Sequence, residues 1–568
     1  MTIVNVGQLL SRSAAANPDQ IAVAAASKQR TGGKDRQYDT ISFAELESQT
    51  SQIAAGLVAA GARPGMRLAL LFPPGIEFIK LVFAMFKSGV VTVLIDPGMG
   101  RKNMIQCLSE VNPEGFVAVP FAQAARCVLR AKFATAKFNI TVGRRWFWGG
   151  KTLRQIEALG KNARQEHGEF RIENSPDDPA AVIFTTGSTG PPKGVLYHHR
   201  NFVKQVAELR DYYNIAPGGI DISGFPLFAL FNSGMGVTTV VPNMDFTKPA
   251  DVDPEEILTA IRDFKANQSF GSPALWTTVG RYCEKRQIRL PTMQRILTAG
   301  APVPPHVLQR LQSIISDDGE IHTPYGATEA LPIASISSRT VLEETATMTQ
   351  MGCGTCVGHR FPGIESRIIE ITDSPVENID EAVELPSGEI GELIVRGEVV
   401  TPEYITRGNA NALHKIADHD TVWHRMGDVG YLDKKERFWF CGRKGHRVIT
   451  SAGVLFTVPC EAIFNCHSSV YRSALVGIPS TDANSPGDLQ TPVIVIEFWP
   501  ESKPSSKDQE NKIRSELKDL AMANPLTESI QIFLYIDKMP VDIRHNSKIF
   551  REKLAVWAAS KAGFFFST

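Results

Sequence analysis

Between residues 41 and 97, apolar and polar positions alternate between a helical period and short continuous apolar runs. A helix opened by Ser42 gives way to a strand over 67–72, a Pro-Pro turn, a second helix and a buried strand over 90–95. The middle third repeats the scheme with a strand over 180–184, a Gly-rich loop, a helix over 201–212 and a strand over 295–299. Such alternation predicts βαβ units, hence a mostly parallel sheet layered with helices. From about residue 389 the segments turn β-rich, and 433–437 reads as a hairpin turn. After Gly442 the pattern predicts a compact α+β unit: strands 473–476 and 493–498, a charged helix 509–522, a strand 530–535 and a basic tail. Residues 501–512 form a polar connection within it. The expected fold class is α/β, with a large layered N-terminal domain of helices and mixed sheets over 1–442 and a small α+β C-terminal domain over 443–568.

Length supports that division, because 568 residues exceed what one hydrophobic core sustains. Lys+Arg and Asp+Glu balance at 60 each, so no global field gathers nucleic acid or an anionic membrane, and any phosphate binding must be local. Eight scattered cysteines do not make a disulfide framework and suit a reducing cytoplasm. Cys353 and Cys356 spell C-x-x-C, but no second pair accompanies them, and two cysteines in a Gly-rich turn is the preferred account. The N-terminal residues lack the charged and apolar regions of a secretory signal. The most apolar stretch, 68–95, is interrupted by Pro73, Pro74, Glu77, Lys80 and Lys87, which argues against a membrane span. A cytoplasmic protein is expected.

The sharpest chemical signal is Thr185-Thr186-Gly187-Ser188-Thr189-Gly190-Pro191-Pro192-Lys193-Gly194, directly after an apolar strand. Glycines let backbone N–H groups converge, hydroxyls add donors and the lysine adds a compact charge, which together cradle phosphate. The spacing is neither the Walker pattern nor a dinucleotide fingerprint. His198 and His199 follow; adjacent residues point apart, so a shared metal is not expected, and one of them is expected to cap the next helix or pack beneath the loop.

This loop resembles the phosphate-binding loop of the adenylate-forming superfamily of acyl-CoA synthetases, peptide-synthetase adenylation domains and luciferases, and the resemblance runs along nearly the whole chain. Tyr325-Gly326-Ala327-Thr328-Glu329 resembles its adenylate signature, which implies a tyrosine stacked on adenine, a threonine at the α-phosphate and a glutamate holding magnesium. Gly300-Ala301-Pro302 resembles the loop lining adenine and the acyl carboxylate. Gly427-Asp428 resembles the motif whose aspartate accepts both ribose hydroxyls, and Arg443 matches the arginine beside it. Near the end, 540–549 resembles the motif of the catalytic lysine, here Lys548, with Ser547 in place of the usual glycine. The resemblance implies ATP and Mg2+ as cofactors and a mobile C-terminal lid.

Two departures stand out. Many thioester-forming relatives carry a gating histidine where this chain has Ala229 in Pro226-Leu227-Phe228-Ala229, and 444–453 is one residue longer than the common hinge pattern. With YGATEAL at 325–331 and the run 424–447, they resemble the branch that makes β-lactones from 2-alkyl-3-hydroxy acids in bacterial long-chain olefin biosynthesis. That implies activation of a long-chain 2-alkyl-3-hydroxyalkanoic acid to its acyl-AMP, capture by its own 3-hydroxyl, and association with other enzymes of the olefin pathway. The alternatives are a long-chain acyl-CoA ligase and a noncatalytic adenylate-binding homologue. The apolar run 225–241 is either a wall of the acyl tunnel or core.

Overall fold

The computed structural model describes residues 3–27, 36–170, 174–185, 191–225, 227–480, 489–541 and 549–562. Ser42 caps the helix Phe43–Ala59 as its sequence requires: the Ser42 hydroxyl accepts from the Glu45 amide, and the Glu45 carboxylate accepts from the Ser42 amide. The apolar runs that follow become short, buried parallel strands, with Arg67–Leu71 between Val91–Leu94 and Gly115–Ala118, and Pro179–Phe184 beyond Val91–Leu94. They belong to an eight-stranded sheet, edged by Glu403–Tyr404 on one side and Lys151–Thr152 on the other. Helices Phe43–Ala59 and Ile76–Lys87 bury Leu46, Ile53, Phe83 and Phe86 in its main apolar core.

A second, larger sheet runs from parallel strands, including Gln268–Gly271 and Arg295–Thr298, into antiparallel ones. Glu320–Ala327 pairs in parallel with Arg295–Thr298 and turns back antiparallel into Ala330–Ser337. Thr355–Arg360, Phe438–Arg443 and Thr421–Leu432 continue it. Residues 433–437 make the turn read from sequence, closed by the Asp433 amide on the Arg437 carbonyl. Cys356 departs from the turn reading: it is buried on the strand Thr355–Arg360, against Ile336 and Trp439.

Beyond the hairpin Val448–Thr450/Gly453–Leu455, strands Val470–Pro479, Gln490–Phe498 and Ile532–Tyr535 form a separate sheet. Its side chains alternate between faces: Leu475, Ile494, Ile496 and Phe533 pack with Phe464 and Leu517, while Val476, Val493, Val495 and Leu534 pack with Leu554 and Ala558. The expected basic tail is thus corrected, since Arg551–Ala562 is a helix covering the second face, its Leu554 and Ala558 fully buried. The charges at 551–553 mask that apolar stripe in the sequence. Arg551 also ties the sheet to helix Thr457–Asn465, donating to Glu461 at 2.5 Å. The fold is therefore mixed α/β, a large sheet-rich N-terminal part followed by a smaller α+β part. No helix among the described residues is long and apolar enough to cross a membrane.

Candidate active site

Thr328 and Glu329 form the two-residue turn between Glu320–Ala327 and Ala330–Ser337, with a bulge at Tyr325 to Ala327. The Tyr325 ring tilts against Phe438, centroids 5.8 Å apart, and its hydroxyl donates to Asp428 Oδ2. Asp428 and Arg443 face each other across adjacent strands, and Arg443 Nη1 donates to Asp428 Oδ1 at 2.7 Å. Gly427, at φ +65°, turns the chain into Asp428. Burial, reinforced by Asp428, pushes the Tyr325 hydroxyl well above its ordinary range, so it stays a donor. Asp428 holds the Arg443 guanidinium charged. Gly300 follows the strand Arg295–Thr298, which pairs with Glu320–Ala327, at φ +102°; Ala301 and Pro302 lead on to the helix Pro305–Ile314.

The second group gathers where the two sheets meet. At the neck of the phosphate loop the Thr185 amide donates to the Lys193 carbonyl at 3.0 Å, and the Lys193 amide donates back to Thr185 Oγ1 at 3.3 Å. Thr186, Gly187, Ser188, Thr189 and Gly190 lie outside the described residues, as do Pro226 and Lys548. Lys193 Nζ donates to His414 Nε2 at 2.9 Å and sits 4.8 Å from the Tyr404 ring centroid. Tyr404 in turn donates to Glu329 Oε1 at 2.7 Å. Tyr404 reaches the site because Glu403–Tyr404 pairs with Gly194–His198 at the edge of the first sheet. The hydroxyl of Tyr197, on that neighbouring strand, donates to the Thr328 carbonyl. Lys415 Nζ donates to the Thr401 carbonyl, and the Thr401 amide and hydroxyl both hold the Glu329 carbonyl at 2.9 Å.

These contacts fix protonation. Burial, then the neighbouring Lys193, pushes His414 down to about 3, so its neutral ring accepts from the ammonium. His424 Nδ1 donates to the His414 carbonyl at 3.1 Å, and burial keeps that ring neutral too. Burial lowers Lys193, and brings Lys415 down to about 7 against the opposing pull of Glu329. Both amines thus feel the charge of Glu329 while each donates to another group, Lys193 to His414 and Lys415 to the Thr401 carbonyl. Among the described residues no group of three or more His, Cys, Asp or Glu is placed to hold a metal by itself. One carboxylate beside such donors suits a magnesium ion carried on phosphate oxygens better than a protein cage.

The structure brings Tyr325, Glu329, Asp428, Arg443, Thr185 and Lys193 together. Tyr404, His414, Lys415 and His424 complete the arrangement and were not singled out by sequence. Three histidines and a lysine within 414–424 were the available signal, but the contact that draws this segment into the site, His414 with Lys193, spans 221 positions. His198 occupies the cap of helix His199–Tyr212, its amide donating to Asn201 Oδ1 at 2.8 Å, while His199 is buried beneath, accepting from the Val6 amide at 3.3 Å. Ala229 is buried on the helix Phe228–Met235, lining a narrow apolar crevice with Phe78, Ile79, Val241 and Phe246. The run 225–241 is therefore core as well as crevice wall.

This layered fold is shared with solved structures. The amide bond synthetase McbA from Marinactinospora thermotolerans matches with a TM-score of 0.75 at 19% identity, over 97% of this chain and 99% of that one. ATP-bound MatB from Rhodopseudomonas palustris matches with a TM-score of 0.73 at 19% identity, over 98% and 99%. The AMP-binding enzyme family matches residues 10–405; the chain belongs to that family and is an ATP-dependent, AMP-forming enzyme. Along nearly its full length it is also similar to two curated relatives. It is 42% identical to the olefin beta-lactone synthetase of Xanthomonas campestris pv. campestris, over 99% of this chain and 98% of the relative. It is 42% identical to that of Stenotrophomonas maltophilia, over 98% of each.

Proposed function

We propose that the protein activates a long-chain 2-alkyl-3-hydroxyalkanoic acid as its acyl-AMP and closes it to a β-lactone. The observation that carries the chemistry is the convergence of Tyr325, Asp428 and Arg443 with Lys193 and Glu329 where the two sheets meet. The similarity to β-lactone synthetases at 42% identity over nearly the whole chain supports the product.

In this reading a substrate carboxylate oxygen attacks the α-phosphorus of ATP and pyrophosphate leaves. The 3-hydroxyl oxygen then attacks the acyl carbon, the bond to the AMP oxygen breaks, and the hydroxyl proton passes to solvent. Four-ring strain is offset by the mixed-anhydride leaving group and by a nucleophile tethered at short range. Tyr325 packs on adenine, with Gly300, Ala301, Pro302 and Gly326 lining the pocket. Asp428, held by Arg443 and Tyr325, accepts from the ribose hydroxyls with its remaining lone pairs. Thr185, Thr186, Gly187, Ser188, Thr189, Gly190 and Lys193 hold the β- and γ-phosphates. Thr328 reaches the α-phosphate, and Lys548 neutralises charge developing there. Glu329 would share a magnesium ion that screens the phosphate charge. His414 orients Lys193. The C-terminal unit, from 443 on, acts as the lid, and the protein works in the cytoplasm beside other enzymes of an olefin pathway.

The test is mass spectrometry of the product from such an acid, ATP and magnesium, with and without CoA. A lactone formed without CoA is expected. A CoA thioester and no lactone would return the protein to acyl-CoA ligation.

A further inference from the structure

The balanced charge of the chain conceals a local excess. Residues 115–156 contain eight Lys and Arg and no Asp or Glu. Within that span the helix Pro120–Val128 and the loop 142–150 lie side by side, Arg126 Nη2 donating to the Trp148 carbonyl at 3.3 Å. Together they expose four large apolar side chains: Phe121 at 77%, Val128 at 84%, Trp146 at 62% and Phe147 at 80%. Arg130, Lys132, Arg144 and Arg145 are exposed around them, and none forms an ion pair with a described residue.

The loop is built to hold those aromatics outward. Trp148 is buried, and its Nε1 donates to Thr141 Oγ1 at 2.9 Å. Trp146 stacks on it at 5.8 Å and Phe147 meets it edge-on at 5.4 Å. Gly149 and Gly150 take φ of +74° and +73°, and a Cβ at Gly150 would meet the Asn139 carbonyl oxygen at 2.3 Å. Arg145 Nη1 also donates to the Gly150 carbonyl. Fold stability does not require two exposed aromatics on an anchored tip. The loop joins Phe138–Thr141 to Lys151–Thr152, at the edge of the eight-stranded sheet opposite Glu403–Tyr404, so this face is separate from the active site.

We infer that the Phe121/Val128/Trp146/Phe147 patch docks the protein peripherally on an anionic lipid bilayer. Trp and Phe settle at the level of the headgroups, and Arg and Lys around them meet lipid phosphates. A segment that carries eight Lys and Arg and no Asp or Glu over 115–156 complements a uniformly anionic surface, whereas protein interfaces deplete lysine and mix both signs.

Co-sedimentation of the full chain with vesicles of phosphatidylcholine, alone or mixed with phosphatidylglycerol, tests this. Pelleting with the mixed vesicles only, weakening as salt rises, is expected. Trp146→Ala/Phe147→Ala and Arg144→Glu/Arg145→Glu should each lower partitioning on the order of tenfold, while AMP formation in vesicle-free solution and the melting temperature stay unchanged. No pelleting with mixed vesicles overturns the inference and leaves the patch to an acidic protein surface. Pelleting that neither double substitution alters overturns it too.

Discussion

The two halves of the site solve opposite problems. On the proposed nucleoside side, Asp428 and Arg443 come from paired strands and Tyr325 from another strand of the same sheet, and both Asp428 oxygens are engaged within the protein. On the phosphate side, Lys193, Tyr404 and Glu329 come from both sheets, and His414 and Lys415 from the segment leading back into Thr421–Leu432. There each of the two amines has one hydrogen-bond acceptor among the described residues, which leaves N–H groups that no described residue accepts. The first half is pre-organised by pairing charges, and the second by withholding partners from them. Substitutions should therefore act on folding and binding together in the first half, and on anion binding alone in the second.

The largest effect should come from Lys548, the group proposed to neutralise charge at the α-phosphate. Lys548→Ala should slow pyrophosphate release by roughly 10²–10³-fold, with ATP affinity by calorimetry nearly unchanged; wild-type release would remove Lys548 from the chemistry. Asp428→Asn should leave the half-buried Arg443 charge uncompensated, lowering stability by about 1 kcal/mol once solvent screening is allowed for and weakening ATP binding together. A melting temperature equal to wild type would show that the nucleoside half is not held by that pair. His414→Ala should raise the KM for ATP about tenfold with melting unchanged, and His414→Gln, which can still accept from Lys193, should recover part of it. Equal loss in both variants would break the assignment of His414 as the acceptor that orients Lys193.

The smallest effect is on pH. Free Lys415 titrates near 7, facing Glu329, Lys193 and Glu403. Bound ATP favours the ammonium and raises that value, so binding takes up a proton above about pH 7, and affinity falls as pH rises further. Calorimetry in buffers of different ionisation enthalpy should show the uptake in wild type and lose it in Lys415→Met; uptake that survives the substitution would place the titration elsewhere.

Local rules carried the sequence a long way. Ser42 announced a helix start, the short apolar runs announced parallel strands, and Gly427-Asp428 with Arg443 marked a pair that the register indeed sets face to face. What stayed hidden is non-local. Nothing near Tyr404 says that it pairs with a strand two hundred residues earlier and hands its hydroxyl to Glu329. Nothing near His414 says that its partner is Lys193. The helix His199–Tyr212 starts two residues before its sequence signal, because its cap is made by the His198 backbone and Asn201 rather than by a serine or threonine.

In the proposed reaction the carboxyl group is activated and the 3-hydroxyl attacks it. Turnover of a 2-alkyl-3-hydroxy acid carrying heavy oxygen in both carboxyl positions tests it directly, with AMP and lactone read by mass spectrometry. One heavy oxygen in AMP, the other in the lactone carbonyl and an unlabelled ring oxygen are expected. Unlabelled AMP, with both heavy oxygens in the lactone, would mean that the hydroxyl was activated instead and would contradict the account.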